Sequence, residues 1–303
     1  MIRGKEITIN MDKNKIIEDL ESAGEYKVLR KLEKPDFYHR DDGTEKLQGI
    51  LLDVETTGLS HDIDKIIEIA IVPFEFSKDG RIFKVNNAYS CLEDPQTPLS
   101  RKIISLTGLT DQILAGKSFD TQSINKIIDP VDLIIAHNSN FDRKFVEKRF
   151  PAFEKKLWGC SSSQVNWENE GIASSKLEYL AYKFGFFFDG HRAEIDCYAT
   201  LHLLSKTLPN SGDLVLDVLL KNARKKSYRI WAVGSDFDKK DVLKNRGYTW
   251  STGEKGRRRS WYIDIDEENM EPEIEFLKKE IYERDIDLPK DAITPFNRFS
   301  ERI

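Results

Sequence analysis

Runs of alternating and continuous apolar residues divide the chain into recognisable elements. GILLDVE (49–55) and KIIEIAIVPFEF (65–76) read as strands, and RIFKVNNAYSCL (81–92) reads as a third, set off by the turn signal KDG. Their short connections predict an antiparallel meander. Ahead of them, residues 11–22 (MDKNKIIEDLES) have helical spacing with Ile16, Ile17 and Leu20 inward, and 33–47 is polar and turn-rich. The period then changes. ISLTGLTDQILAG and FDTQSINKIID look helical, VDLIIAHN (131–138) is a short buried strand, and NFDRKFVEKRF (140–150) opens a helix. KLEYLAYKFG and HRAEIDCYATLHLLSKTL (191–208) are further helices. Strands first, then alternation with helices, predict an α/β fold: a mixed sheet with helices packed on it.

A second unit follows. DLVLDVLLKNARKK (213–226) is an apolar helix that turns basic, and the PNSG turn signal before it places a boundary near 209–226. SYRIWAVG then reads as a strand, DFDKKDVLKNRG as a helix stopped by Gly247, and YTWSTGEKGRRRSWYIDI as a hairpin. An acidic helix and a polar tail complete a small α+β module. The expected division is 1–47 as a helical extension, 48–208 as the main domain, 209–226 as a helical linker and 227–303 as the C-terminal module.

Bulk composition narrows the classes. With 303 residues, 39% hydrophobic and 33% charged, the chain can bury a core and is not globally disordered. The net charge of -5 excludes a uniformly basic nucleic-acid binder, though not a local basic patch. No apolar run reaches the ~20 residues that span a bilayer, so no membrane partner is expected. MIRGKEITINMDKNKIIEDL lacks the continuous apolar core of a secretory signal. Cys91, Cys160 and Cys197 are odd in number and far apart, which gives neither a disulfide framework nor zinc spacing. A cytoplasmic protein with reduced thiols is the expectation.

Inside the apolar run 51–60, LLDVETTGLS, stand two acids. Residues i and i+2 of a strand face the same way, so Ile50, Leu52 and Val54 share one face while Leu51, Asp53 and Glu55 share the other. Both faces begin apolar, so the strand is covered on both sides. Two carboxylates side by side on such a strand repel and resist ionisation unless cations compensate. On the helix at 192–206, Asp196 lies in a stripe with Ala193, Ala199, Thr200 and Leu203, and a core-facing Asp again needs a partner. Asp142 sits in the first turn after the VDLIIAHN strand, where the helix dipole alone would suit it. His191 precedes Asp196 at a loop–helix junction. Four converging carboxylates carry about four negative charges. Two divalent cations balance these, and hard oxygen ligands select Mg2+ or Mn2+.

DVETTG (53–58), AHNSNFD (136–142) and HRAEID (191–196) resemble, in order and spacing, the three motifs of the DEDD exonucleases of the histidine subtype. That superfamily includes the epsilon proofreading subunit of bacterial DNA polymerase III and RNase T. The resemblance covers roughly 48–208. It implies an RNase H-like fold, with a five-stranded mixed sheet whose first three strands are antiparallel and with helices on both faces. It further implies two-metal 3′-to-5′ hydrolysis to 5′-mononucleotides. Asp53, Glu55 and Asp196 would hold the first metal, Asp53 and Asp142 the second, and His191 would be the general base. Thr56 and Thr57 would contact the terminal nucleotide, Leu59 would wedge against the last base, and Asn138 would lie near the substrate strand. LTGLT (106–110) departs from the family's HGIT-like segment, with Leu106–Thr107 where a histidine stands.

Between 221 and 262 there are 13 Lys/Arg and 4 Asp/Glu, a net of +9, whereas 263–303 has 6 against 13, a net of -7. Aromatics interleave the basic stretch, a pattern suited to single-stranded nucleic acid, and Arg257, Arg258 and Arg259 in the turn GEKGRRR are the sharpest candidate contacts. The competing reading makes Trp231, Trp250 and Trp261 the core of the module and packs the basic half on the acidic helix. The expected partner is single-stranded DNA or a 3′ overhang. An exoribonuclease is the nearest alternative, and a non-catalytic nucleic-acid-binding or polymerase-associated protein is the other class. All five motif residues are present, which argues against the last. No clamp-binding QLxLF motif is found, which favours a stand-alone enzyme over a tethered subunit.

Overall fold

The computed structural model describes residues 12–303. The meander forms, but with one more strand than the sequence pattern implied. β1 (Leu47–Thr56) pairs antiparallel with β2 (Ile66–Phe76), and β2 pairs with both β3 (Ile82–Val85) and β4 (Tyr89–Leu92). The segment 81–92 is therefore two strands and not one. Pro73 of β2 has no N–H to donate, so the ladder is interrupted there, and the Asn86 N–H donates to the Pro73 carbonyl at 2.8 Å. On the other edge β1 pairs parallel with β5 (Leu133–Ala136), which pairs parallel with β6 (Trp158–Cys160). The result is a six-stranded mixed sheet of the RNase H-like class, in the order β3-β2-β1-β5-β6 with β4 beside β2.

The two faces of β1 divide as alternation requires. Ile50, Leu52 and Val54 enter one core with Phe145 and Val146 of α1 (Ser139–Arg149). Leu51 enters the other with Cys197, Leu201 and Leu204 of α2 (Ala193–Leu204). The two helices thus cover opposite faces of the same strand.

Four further strands, β7 (Ser227–Ala232), β8 (Thr249–Thr252), β9 (Arg259–Asp266) and β10 (Lys290–Ile293), form a separate antiparallel sheet in the order β8-β9-β7-β10. Its apolar face packs on α3 (Met270–Phe276) and the helical turns Leu277–Tyr282. Trp231 is buried and Trp261 packs against that core, while Trp250 is 45% exposed. The basic half meets the acidic helix through Arg246 and Glu273, 2.9 Å apart.

At the amino end one expectation holds only in part. The helix forms over Lys13–Ser22, capped by Asp12, but none of its residues is fully buried. Ile16 and Ile17 are half-buried, and Leu20 is exposed. Met11 lies outside the described residues. The polar tail is built into the fold. Residues 290–293 form β10, and the segment beyond it docks on the main domain, where the Trp158 N–H donates to the Pro295 carbonyl at 3.1 Å. Arg143, wholly buried on α1, donates to the carbonyls of Pro295, Phe296 and Arg298.

Candidate active site

β1 carries Asp53 and Glu55 to its carboxyl end on the α2 side, and α2 presents Asp196 from its first turn. One carboxylate oxygen from each of Asp53, Glu55 and Asp196 lies within 4.8 Å of the others. Asp142 arrives from α1, the helix of the opposite layer, and is buried. β5 stops at Ala136, so its pairing with β1 ends at Leu51. Beyond that point the Val54 N–H is taken by the Asp142 carboxylate, at 3.2 Å. This single bond brings the fourth acid round the end of the sheet.

Concentrated carboxylates with little compensating charge resist ionisation. Burial, then the charges of Asp142 and Asp196, push Asp53 well above the usual carboxylate range. Burial and then Asp196 raise Glu55 to about 8. Burial raises Asp142 to about 7, against the Val54 hydrogen bond. Burial also raises Asp196 to about 6, opposed by the charge of His191. A site of all-oxygen donors with excess negative charge fits hard divalent cations, whose charge is what it lacks.

His191 lies at the loop–helix junction, exposed, with backbone in the left-handed region (φ 65). The next residue, Arg192, anchors the junction. Its guanidinium holds the buried Glu68 carboxylate at 2.9 Å, and the Ala193 N–H donates to the same carboxylate at 3.4 Å. The sequence reading passed over Glu68 and Arg192. The available signal was an acid inside the apolar run KIIEIAIV, the same oddity that singled out Asp53.

The TTGL lip is an ordered turn. Thr56 Oγ1 donates to the Gly58 carbonyl at 2.6 Å, and Thr57 Oγ1 donates to Asp64 at 2.9 Å while accepting from the Lys65 N–H. Both hydroxyls are therefore engaged inside the turn. A Cβ on Gly58 would come within 2.5 Å of the Asp64 carboxylate, which is fixed by Thr57 and Ser60, so only glycine fits. Leu59 is 84% exposed at the tip. Asn138 caps α1 without using its side chain, which leaves the amide exposed. Its neighbour His137 bridges Ser161 Oγ (2.8 Å) and the Ser175 carbonyl (2.7 Å), tying together the segments after β5 and β6. Where the family segment has a histidine, Thr107 is buried and bonded to the Ile103 carbonyl. Arg257 pairs with Glu301, and Arg258 and Arg259 are exposed on the hairpin.

Four carboxylates at the carboxyl edge of a six-stranded mixed sheet, two of them on alternate residues of its central strand, define the class of RNase H-like nucleases. Residues 50–204 match the exonuclease family model named RNase T, and the chain belongs to that family. Among curated relatives it is similar to the PolC-type DNA polymerase III of Halalkalibacterium halodurans, 35% identical over 176 residues, which is 54% of this chain and 12% of that protein. It is also similar to the PolC-type DNA polymerase III of Staphylococcus aureus, 30% identical over 175 residues and again 12% of that protein. The chain thus spans only a small part of these relatives. Among solved structures, Exonuclease X in complex with 5′ overhanging duplex DNA is 25% identical, covering 56% of this chain and 99% of that one, with a TM-score of 0.42. E. coli Exonuclease I in complex with a dA16 oligonucleotide is 15% identical, covering 75% and 67%, with a TM-score of 0.48.

Proposed function

We propose that this protein is a metal-dependent 3′-to-5′ exonuclease that removes 5′-mononucleotides from single-stranded DNA or frayed 3′ ends. The observation that carries this is the approach of the Asp53, Glu55 and Asp196 oxygens to within 4.8 Å of one another, with Asp142 buried beside them. Asp53, Glu55 and Asp196 would hold one divalent ion, and Asp53 and Asp142 would hold a second. When bound, such ions would activate the attacking water and stabilise charge on the attacking and departing oxygens. His191, exposed beside Asp196, would take the proton from the attacking water. Glu68 and Arg192 fix the junction that carries His191. Leu59 stacks against the terminal base, and Asn138 contacts the strand. The turn role of Thr56 and Thr57 leaves the backbone at Thr56 as the contact to the terminal nucleotide.

Residues 48–208 form the catalytic domain and 227–303 a module that serves it. DNA is preferred over RNA as the substrate class because the relatives at 30–35% identity are DNA polymerases. A polymerase context is consistent with the same relatives. None of the helices among the described residues is long and apolar enough to cross a membrane. We place the protein in the cytoplasm on the strength of its three unpaired cysteines. The test is a Mg2+ or Mn2+ assay with 5′-labelled single-stranded DNA, duplex DNA and RNA side by side. Stepwise shortening from the 3′ end, abolished by chelator and by Asp53→Ala, is expected. Full activity in chelator would sink the metal mechanism, and faster RNA turnover would reverse the substrate assignment.

A further inference from the structure

The acidic cluster does not occupy the carboxyl edge of the sheet alone. β1, β5 and β6 run parallel, so the segments that follow them emerge on one side. Asp53 and Glu55 end β1, Asn138 and Asn140 follow β5, and residues 161–175 follow β6. Beyond the last of these a cleft of about 1050 Å³ opens between that segment and the C-terminal sheet. Its near wall is amide and hydroxyl, with Asn140, Ser163 and Asn166 along it.

Strand alternation builds the far wall. Along β9, Trp261, Ile263 and Ile265 turn to the module's own core, whereas Tyr262, Asp264 and Asp266 turn to the cleft. Arg229 lies opposite Asp264 in register and holds it with two hydrogen bonds of 2.7 Å, its guanidinium 4.2 Å from the centre of the Tyr262 ring. Two lining acids remain outside that pair, Glu168 and Asp266, against the cations Lys144, Lys225, Arg257 and Arg298, of which Lys144 and Arg257 share Glu301 at 3.4 and 3.6 Å. Arg257 Nε is buried with no hydrogen-bond partner. A buried donor left unpaired is costly, and an anionic oxygen in the cleft would satisfy it. The far wall is also tied to the active-site lip. Lys255 Nζ lies 2.7 Å from Asp62, in the loop whose tip is Leu59, and 3.0 Å from Glu301.

We propose that this cleft is a track for single-stranded nucleic acid, DNA or RNA, which takes the nucleotides upstream of the 3′ end. The strand's polarity rests on the exonuclease reading. A single strand offers what the walls can use: phosphates for Arg257 and Lys225, base edges for the amides, and flat faces for Tyr262 with its stacked Arg229. The track runs along the carboxyl edge from the acidic cluster, past Asn138 and Asn140, into the cleft.

Fluorescence anisotropy with 5′-labelled oligonucleotides of about 2 to 12 nucleotides, DNA and RNA in separate arms, tests this on the full chain in chelator. Lys225→Glu reverses a lining charge and Ser163→Glu adds a negative one, both at exposed positions, and an unchanged Tm verifies folding. For the unmodified protein, affinity should rise about ten-fold or more with length and show a steeper salt dependence for the longer strands. The double variant should lose that gain while binding the shortest oligonucleotide unaltered. Affinity independent of length, or a variant equal to the parent at every length, overturns the track. Hydrolysis of thymidine 5′-monophosphate p-nitrophenyl ester with Mn2+ involves the acidic cluster alone. Its failure would remove the catalytic reading, while the length series still decides the track.

Discussion

Glu68 stands directly across from Glu55 in the β1–β2 register, yet its carboxylate is gripped by Arg192, at 2.9 Å, from the far end of the chain's main domain. One glutamate of this cross-strand pair is neutralised and the other is left to the site. The grip also fixes the start of α2, and so the placement of His191 and Asp196 relative to β1.

Removing the grip should therefore cost both stability and turnover. Arg192→Ala strands a wholly buried carboxylate, a loss of roughly 1–3 kcal/mol once the half-exposure of Arg192 is allowed for. That corresponds to a fall in Tm of several degrees. Adding Glu68→Gln should recover much of the stability but little of kcat, because the helix start remains untied. Thermal unfolding and steady-state kinetics on the two variants check this, and equal recovery of both properties would contradict the positioning role.

The acidic cluster predicts how metal-free stability varies with pH. Glu55 is raised to about 8, Asp142 to about 7 and Asp196 to about 6, above the ordinary 4.5, 3.8 and 3.8. The folded chain then binds more protons than the unfolded one between roughly pH 4 and 8, so stability falls as pH rises through that window. In chelator, Tm should decline from pH 5 to pH 8, and saturating Mn2+ should flatten or reverse the slope. Asp53→Asn should lessen the slope by removing one of the repelling charges. A Tm that climbs with pH in chelator would mean the carboxylates are already compensated.

Much of this site was legible because acids in apolar surroundings are conspicuous. Asp53, Glu55 and Asp196 each broke a hydrophobic pattern, and the structure gathers their oxygens within 4.8 Å. Glu68 broke the same pattern in KIIEIAIV but had no neighbour in sequence to mark it, since its partner Arg192 lies 124 residues away. β6 was too short, at Trp158–Cys160, to show a period, and its pairing depends on β5. The docked tail was hidden for a different reason. Several of its contacts are carbonyl groups of residues 295–298 meeting Arg143, and backbone acceptors leave no trace in side-chain composition.

His191 should separate chemistry from binding. It is exposed at the junction and makes no contribution to the core, so His191→Ala should leave Tm within about half a degree to a degree or two of the parent. Turnover should fall by about 10²–10⁴, the usual worth of a general base. Asp53→Ala should abolish hydrolysis outright. Single-turnover rates on a labelled oligonucleotide distinguish the two, and a His191→Ala enzyme with parental rates would pass the base role to another group.

The tail makes a prediction that a domain diagram would get wrong. Cutting the chain near residue 226 looks like a clean removal of the module, but it also removes every carbonyl that Arg143 uses beyond α1. Arg143 is fully buried, and burial pulls its pKa down to about 10 against the pull of Glu147, 2.6 Å away. Arg302 also leaves, and with it the second cation on Glu147, at 2.8 Å. A buried guanidinium stripped of its carbonyl partners costs about 3–5 kcal/mol, less whatever water recovers at the newly opened surface. A chain ending at residue 293 keeps all four strands of the small sheet, so it separates loss of the docked tail, with the wholly buried Arg143 among its partners, from loss of the module. Its Tm should drop by roughly 6–15 °C. Arg143→Met with Glu147→Gln in the shortened chain should restore part of the loss, since an apolar side chain of similar length needs no acceptors. A shortened chain as stable as the full one would mean that the Arg143 contacts contribute nothing, and truncation could then be used to assay the module alone.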